Sequence, residues 1–383
     1  MESHLPARDF EDRALAGVDP AFWRDRRVLV TGHSGFKGAW LSLWLQSLGA
    51  QVLGVSLGDP PSTPSLYELA HVAQGMADSV TCDIRDALGL TRAIVSVKPE
   101  IVIHMAAQPF VRRSFATPRE TYDTNVMGTL NLLEAVRACP SVRACLVVTS
   151  DKCYENRESP LPYRETDQLG GHDPYSSSKA AAEILTSAYR RSFFSGPDAP
   201  RIATARAGNV IGGGDFGEDR LIPDIVRATL AGEDLRLRNP AAVRPWQHVL
   251  SPLSGYLVLL QALSQSPDLS RAWNFGPDPS DARTVEWIVQ RVSDMWPDSG
   301  LSWTFDPGPH PHEAGLLSLD SSLAANTLGW APTVGLEDGL AATVAWYRAW
   351  QDGEDLRRVT LGQVATLVTS FAEDMASADQ AHA

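Results

Sequence analysis

Lysine is almost missing from this chain: only Lys37, Lys98, Lys152 and Lys179 occur among 383 residues. Arginine supplies the other positive charges, yet 33 Lys and Arg face 46 Asp and Glu, for a formal net charge of −13. That balance excludes a broad nucleic-acid-binding surface, which needs clustered positive potential, although single arginines could still hold the phosphates of one nucleotide. Cysteine is equally sparse. Cys82, Cys139, Cys145 and Cys153 lack the paired spacing of a metal site or disulfide scaffold and read as ordinary reduced or buried thiols. No uninterrupted apolar stretch is long enough to span a bilayer, and the first 27 residues, polar and broken by charges, contain no secretory-signal core. Nor is there an internal repeat. A cytoplasmic protein without metal, membrane or nucleic-acid partner is expected.

What is present is enough apolar sequence, 44% of residues, to bury a large core. Pro6, Gly17 and Pro20 interrupt any regular run before Phe22, so residues 1–23 are expected to form a mobile or loosely docked extension. Arg27–Thr31 then reads as a buried strand, followed by glycine turns and the apolar-periodic segment Trp40–Leu48. Gln51–Ser56, Ile101–His104 and Leu146–Val148 are further strand candidates, with helices expected over Asn125–Ala138 and Tyr175–Arg190. Strands alternating with helices imply a parallel sheet covered on both faces. The rhythm changes after Arg201–Ala205: 207–248 and 281–373 read as a smaller mixed α/β lobe, with helices at Ile222–Ala231, Val285–Met295 and Leu336–Trp350. Residues 24–206 form the expected core, Leu253–Ala262 and Ala272–Phe275 are candidates to rejoin its sheet within 249–280, and 374–383 are expected to fray.

Three of the four lysines lie in the most specific local patterns. Gly32-His33-Ser34-Gly35-Phe36-Lys37-Gly38 follows the first strand and precedes a helix. Such glycines permit a tight turn and close approach of a diphosphate to helix-start N–H groups, although the spacing departs from the usual dinucleotide fingerprint and a purely structural turn fits too. Asp83 and Ile84 are candidates to meet an adenine, with a helix cap as the other reading of Asp83; Ala106 and Ala107 would let a dinucleotide pass close to the backbone, or simply pack tightly. No Lys or Arg occurs between Gly54 and Val80 to balance a 2′-phosphate, which favours NAD over NADP. Tyr175 and Lys179 are four residues apart at a helix start, so both can face one pocket, where the ammonium would lower the phenol's pKa. Thr149-Ser150-Asp151-Lys152 ends the Leu146–Val148 strand and offers a hydroxyl, a carboxyl and an ammonium at the sheet edge where such folds bind ligands. Alone, each is also a turn or surface motif.

Over a longer span the chain resembles the CDP-glucose 4,6-dehydratases, within the extended short-chain dehydrogenase/reductase class. The resemblance runs from about Phe22 to Trp350 and is carried by the glycine loop, Ala106-Ala107-Gln108-Pro109, residues 121–129, Ser150-Asp151-Lys152-Cys153-Tyr154-Glu155-Asn156 and Gly170-Gly171-His172-Asp173-Pro174-Tyr175-Ser176. Arg206–Asp215, Arg244-Pro245-Trp246-Gln247-His248-Val249, Trp273–Pro277 and Pro311-His312-Glu313-Ala314 continue it. It implies a Rossmann-like parallel sheet, NAD as a tightly held cofactor and CDP-D-glucose as substrate. It further implies Ser150, Asp151, Lys152, Tyr175 and Lys179 as catalytic residues, and Gly32, His33, Gly35, Phe36, Lys37, Gly38, Asp83, Ile84, Ala106 and Ala107 with Tyr175 and Lys179 as cofactor contacts. Gln108, Asn209, Arg220, Arg244 and His248 become substrate contacts. Related dehydratases acting on dTDP-glucose or GDP-mannose have Glu after the Asp or Thr of this loop, where this chain has Lys152. An NAD-dependent epimerase, a dehydratase of another nucleotide-hexose and an NAD-responsive regulator stay open as alternatives. The helices near 125–138 and 175–190 resemble the family's dimer-forming pair, implying a homodimer or dimer of dimers.

Overall fold

The computed structural model describes residues 17–306, 308, 316–332 and 334–366; the expected tail over 374–383, His310 and His312 lie outside them. Six strands open the chain: β1 (Arg27–Thr31), β2 (Gln51–Ser56), β3 (Asp78–Thr81), β4 (Ile101–His104), β5 (Ala144–Val148) and β6 (Arg201–Arg206). With the later strand Ala272–Asn274 they make a seven-stranded sheet in the order Ala272–Asn274, β6, β5, β4, β1, β2, β3, parallel throughout. The order reverses between β4 and β1, and the crevice beyond their carboxyl ends is where open parallel sheets bind ligands.

Alternation along each strand divides the core in two. Val28 and Val30, Ile101 and Ile103, and Leu146 and Val148 point into one layer, with Trp40 and Trp44 of the Phe36–Ser47 helix. Leu29, Val102, Cys145 and Val147 point into the other, with Leu132 and Leu133. Most inward positions are apolar because both faces are covered, which is why these strands read as near-continuous apolar runs; Thr31, His104, Thr204 and Arg206, near the carboxyl ends, are buried polar exceptions. The smaller lobe is built on two-residue and three-residue pairings: Val210–Ile211 with Gln247–His248, Val243–Pro245 with Ala282–Thr284, and Leu235–Leu237 with Trp303–Phe305. No helix among the described residues is long and apolar enough to cross a membrane.

Three departures from the sequence reading have local causes. The helix expected over Asn125–Ala138 begins as a π turn, Asp123–Met127, and becomes α-helical only over Gly128–Arg137. Leu253–Ala262 lies inside the helix Leu250–Leu263, whose residues are buried nearly all round; a continuous apolar run does not distinguish strand from helix. Only Ala272–Asn274 returns to the sheet. Finally, the segment expected to be mobile up to residue 23 is docked from Val18 onward. Asp19 caps the short helix Pro20–Trp23, Val18 and Trp23 are fully buried, and the Trp23 indole donates to Gln261 Oε1 at 2.7 Å. Trp23→Ala should therefore cost about 3 kcal/mol, the loss usual for truncating a buried aromatic, read as a shifted denaturation midpoint; an unchanged midpoint would show that the segment contributes nothing.

Candidate active site

At the carboxyl ends of β1, β4, β5 and β6 the chain encloses a cleft of about 650 Å³. Its floor is the glycine loop. Gly32 has φ +73°, and a Cβ there would lie 2.8 Å from the Ala106 backbone; one on Gly38 would lie 2.2 Å from the Gly32 carbonyl oxygen. Only bare backbone lets the Phe36–Ser47 helix start this close to β1 and β4. Gly35 caps that helix without a side-chain acceptor, so its first N–H groups remain available to an anion. This cradle fits a dinucleotide's diphosphate. Phe36, Lys37, Ala106 and Ala107 line the cleft, as do Asp83 and Ile84. Asp83 is not the cap of the Ala87–Val97 helix, a role taken by Asp86. Its carboxyl is held below the ordinary range, chiefly by hydrogen bonds from Arg85, 2.6 Å away.

His33 does not join this group. Its ring is buried beneath Gly54, within 3.0 Å of Ser79 Oγ, because the turn directs it under β2 and β3 instead of into the cleft. His248 is also misplaced by the sequence reading: its short pairing with Val210–Ile211 turns the ring into the core against Trp40, where burial pushes its pKa down to about 3. Gln108 borders the cleft, but its amide is committed internally, donating to Thr121 Oγ1 at 2.9 Å and accepting from the Phe110 N–H at 2.5 Å.

The reactive end is compact. Ser150 starts the 3₁₀ turn Asp151–Cys153; its Oγ accepts from the Lys152 N–H at 3.2 Å and donates to Asp151 Oδ1 at 2.9 Å. Asp151 is buried, and its Oδ2 has no hydrogen-bond partner among the described residues. Burial raises its pKa against the opposing pull of Lys152, Ser150 and Arg244, favouring the protonated acid. Tyr175 is pushed up to about 12 by burial, with the Ser150 hydrogen bond opposing. Lys179 is brought down to about 8, also by burial, and donates to the Val148 carbonyl at 3.3 Å. Of the charges that act most on Tyr175, Asp151 and Asp173 raise it further and Arg220 opposes them. Asn209, Arg220 and Arg244 line the cleft as well; Arg220 Nη1 donates to both oxygens of Asp215, at 2.8 and 3.0 Å, and the guanidinium stands 5.1 Å from the centre of the Phe110 ring.

Behind the cleft lies a scaffold that the sequence motifs did not reveal. Glu183 accepts from Thr149 Oγ1 at 2.5 Å, Thr204 Oγ1 at 2.7 Å and Arg206 Nη2 at 2.9 Å, while Arg206 Nη1 donates to Tyr154 at 2.7 Å. Glu183 follows Lys179 by four residues on the same helix, the one local signal that could have marked it. Burial pushes its carboxyl up, but Arg206 and the two threonines together hold it below its ordinary value.

A family model described as GDP-mannose 4,6 dehydratase matches residues 29–343. The chain is 50% identical over 344 residues to a CDP-glucose 4,6-dehydratase of Salmonella typhimurium, covering 88% of this chain and 95% of the relative. Among solved structures, the dTDP-glucose 4,6-dehydratase of Streptomyces venezuelae with NAD and TYD bound superposes with a TM-score of 0.72 at 26% identity, over 86% of this chain and 99% of that one. A UDP-glucose 4-epimerase of Thermus thermophilus in complex with NAD gives 0.71 at 25%, over 84% and 99%.

Glu183→Gln should cost about 3 kcal/mol at neutral pH, because it leaves the buried Arg206 charge uncompensated. The wild-type carboxylate has a folded pKa below the unfolded 4.5, so its contribution is complete above that value and disappears as pH falls through the folded one. Denaturation curves of the two proteins should therefore differ at pH 7 and converge in acid; a gap independent of pH would refute the assignment.

Proposed function

The chain belongs to the GDP-mannose 4,6-dehydratase family, and from that premise we propose that it converts CDP-D-glucose to CDP-4-dehydro-6-deoxy-D-glucose and water. It is an NAD-dependent dehydratase. The single observation that carries the elimination is Asp151: a carboxyl kept towards its acid form by burial, with one oxygen unpartnered, at the cleft edge beside Tyr175 and Ser150.

Bound NAD supplies an acceptor, and later a donor, for one hydride. Tyr175 receives the proton of the sugar 4-hydroxyl, which Ser150 orients; Ser150 and Arg220 are the groups that ease ionisation of this phenol. Lys179 holds the cofactor's ribose side and supplies positive charge. A ketone at C4 acidifies C5–H, and Asp151 protonates the departing 6-hydroxyl. Lys152 serves C5, taking the proton as a neutral amine or holding the enolate's charge as an ammonium. Gly32, Gly35 and Gly38 cradle the diphosphate of NAD, whereas Asn209, Arg220 and Arg244 hold the substrate's phosphates, arginine's planar fork suiting anionic oxygens. In this division 24–206 with about 249–280 carries the cofactor, and 207–248 with 281–373 the sugar nucleotide.

A homodimer, or a dimer of such dimers, is supported by exposed apolar side chains on the paired helices: Tyr122, Met127 and Ile184 are 40%, 45% and 58% exposed. Four free thiols suit a reducing compartment such as the cytoplasm.

Incubation with CDP-glucose and no added NAD should yield a product about 18 mass units lighter, the water lost when a retained cofactor serves both half-reactions. Deuterium placed at C4 should reappear at C6, and dTDP-glucose should turn over more slowly. Unchanged mass with inverted stereochemistry would make the protein an epimerase, and retained NAD with no change in any CDP-, dTDP- or GDP-sugar would make it a regulator. Asp151→Asn should slow water loss by roughly 10²–10⁴-fold, the range for removing a general acid.

A further inference from the structure

Glu183 and Arg206 border a second cavity, of about 820 Å³, which shares no lining residue with the cleft. It lies between the helix Pro174–Phe193, the end of β6 with the edge strand Ala272–Asn274, and the short helix Ser322–Leu328. Glu183, Ser187 and Arg190 recur at four-residue and three-residue steps along the first helix and so share the face turned to this space. Arg206 closes β6, and Arg271 precedes the neighbouring strand, its carbonyl accepting from the Thr204 N–H at 3.1 Å. Arg190 Nη1 reaches β6 as well, donating to the Ile202 carbonyl at 3.3 Å. Two adjacent strands and the helix laid over them thus bring three guanidinium groups to one cavity. A fourth, that of Arg164, is taken up by Asp320 at 2.8 Å, as Arg206 is by Glu183 at 2.9 Å. No described carboxylate forms an ion pair with Arg190 or Arg271. The other two acids in the wall are engaged by the backbone: Glu165 Oε1 accepts from the Asn274 N–H at 2.8 Å and Asp167 Oδ2 from the Arg164 N–H at 2.7 Å. Arg206, only 3% exposed, keeps one donor in reserve, because its buried Nε has no hydrogen-bond partner among the described residues.

We propose that this cavity is a second ligand site, separate from the cleft, which takes a phosphate dianion among Arg190, Arg206 and Arg271. Planar guanidinium forks match the oxygens of a phosphate, and such an anion supplies the acceptor that Arg206 Nε lacks. Exposure is graded as entry from solvent requires: Arg271 is exposed, Arg190 half-buried and Arg206 buried. Burial lowers the pKa of Arg190; Glu183 opposes this, but Arg191, Arg206 and Arg271 add to it, a repulsion that a bound anion relieves. The space exceeds what bare phosphate fills, and Ser187 and Asn326 in its wall offer a hydroxyl and an amide to the organic part of an ester. The phosphate can therefore arrive free or on a small hydroxylated molecule. Through Arg206 it meets the same guanidinium that holds Glu183 and Tyr154.

Calorimetric titration of the cofactor-loaded protein with inorganic phosphate, and separately with glucose 6-phosphate, tests the site. Both should bind saturably and raise the denaturation midpoint, since a ligand of the folded state alone stabilises it. Arg271→Gln changes an exposed, unpaired side chain, so its midpoint without ligand should stay near that of the wild type, while both ligands bind about tenfold more weakly or worse, the loss usual for a hydrogen bond between charged groups. Arg190→Gln should weaken them similarly, and Arg271→Lys should fall between wild type and Arg271→Gln, because an ammonium keeps the charge and loses the fork. Arg244→Gln, which alters the cleft, should leave the dissociation constants unchanged. Tighter binding of glucose 6-phosphate than of phosphate would assign an ester as the ligand, and equal binding free phosphate. Absence of saturable binding overturns the proposal. So does an affinity that Arg190→Gln and Arg271→Gln both leave intact, or one that Arg244→Gln abolishes, which would place the anion in the cleft. None of these measurements uses the dehydration, so the outcome is independent of the substrate proposed above.

Discussion

The contact on which the site depends is the ion pair between Glu183 and Arg206, each 3% exposed and 2.9 Å apart. Glu183 belongs to the helix Pro174–Phe193, which carries Tyr175 and Lys179; Arg206 ends β6. Thr149, at the end of β5 and immediately before Ser150, bonds to the same carboxylate, and Tyr154, just after the Asp151–Cys153 turn, bonds to the same guanidinium and passes a hydrogen bond to Asn274. One pair thus fixes a helix, three strand ends and the loop between them. Buried ion pairs are a poor source of net stability, because desolvation consumes much of the Coulomb gain. Their use here is geometric. Glu183 accepts three hydrogen bonds and Arg206 donates to both Glu183 and Tyr154, and that arrangement brings Ser150, Asp151, Tyr175 and Lys179 together.

Low polarity around the cleft then acts on its ionisable groups Asp151, Tyr175, Lys37 and Lys179 in one sense, towards neutrality. It shifts Asp151 and Tyr175 towards their protonated forms and weakens the hold of Lys37 and Lys179 on their protons. For the acid, this is the required state at rest. For Tyr175, it is an obstacle: a phenol pushed to about 12 is a weak proton acceptor at neutral pH unless further positive charge or a well-placed donor arrives. Ser150 is already such a donor, and the positively charged ring of an oxidised nicotinamide adds the charge when the cofactor is present. The polypeptide alone therefore builds a better acid than base, an asymmetry that suits elimination more readily than a bare alcohol oxidation.

How much of this could be read in advance follows from the range of the forces concerned. Strand periodicity, the glycine loop and the four-residue spacing of Tyr175 and Lys179 are local, and each element formed near its expected position. Side-chain direction at loops was not legible. His33 and His248 stand beside cleft residues in sequence, yet one ring lies under Gly54 against Ser79 and the other against Trp40, because partners far along the chain leave space for them there. Gln108 is the intermediate case: its place on the wall was readable from the strand end, but the closure of its amide onto Thr121 and Phe110 was not. Glu183 and Arg206 were invisible for the same reason, since charged residues 23 positions apart say nothing in sequence about mutual burial.

Gly208 shows how the two scales meet. It lies two residues beyond the β6 end that Arg206 anchors, and a Cβ on it would lie 2.9 Å from Asp151 Oδ2 and 3.2 Å from Pro245. Any side chain there would press on the carboxyl oxygen that has no partner of its own. The bare backbone at 208 and the oxygen of Asp151 that no described residue satisfies are thus one feature: a buried polar atom left unpartnered by its own protein, which is the condition for its proton to be given elsewhere.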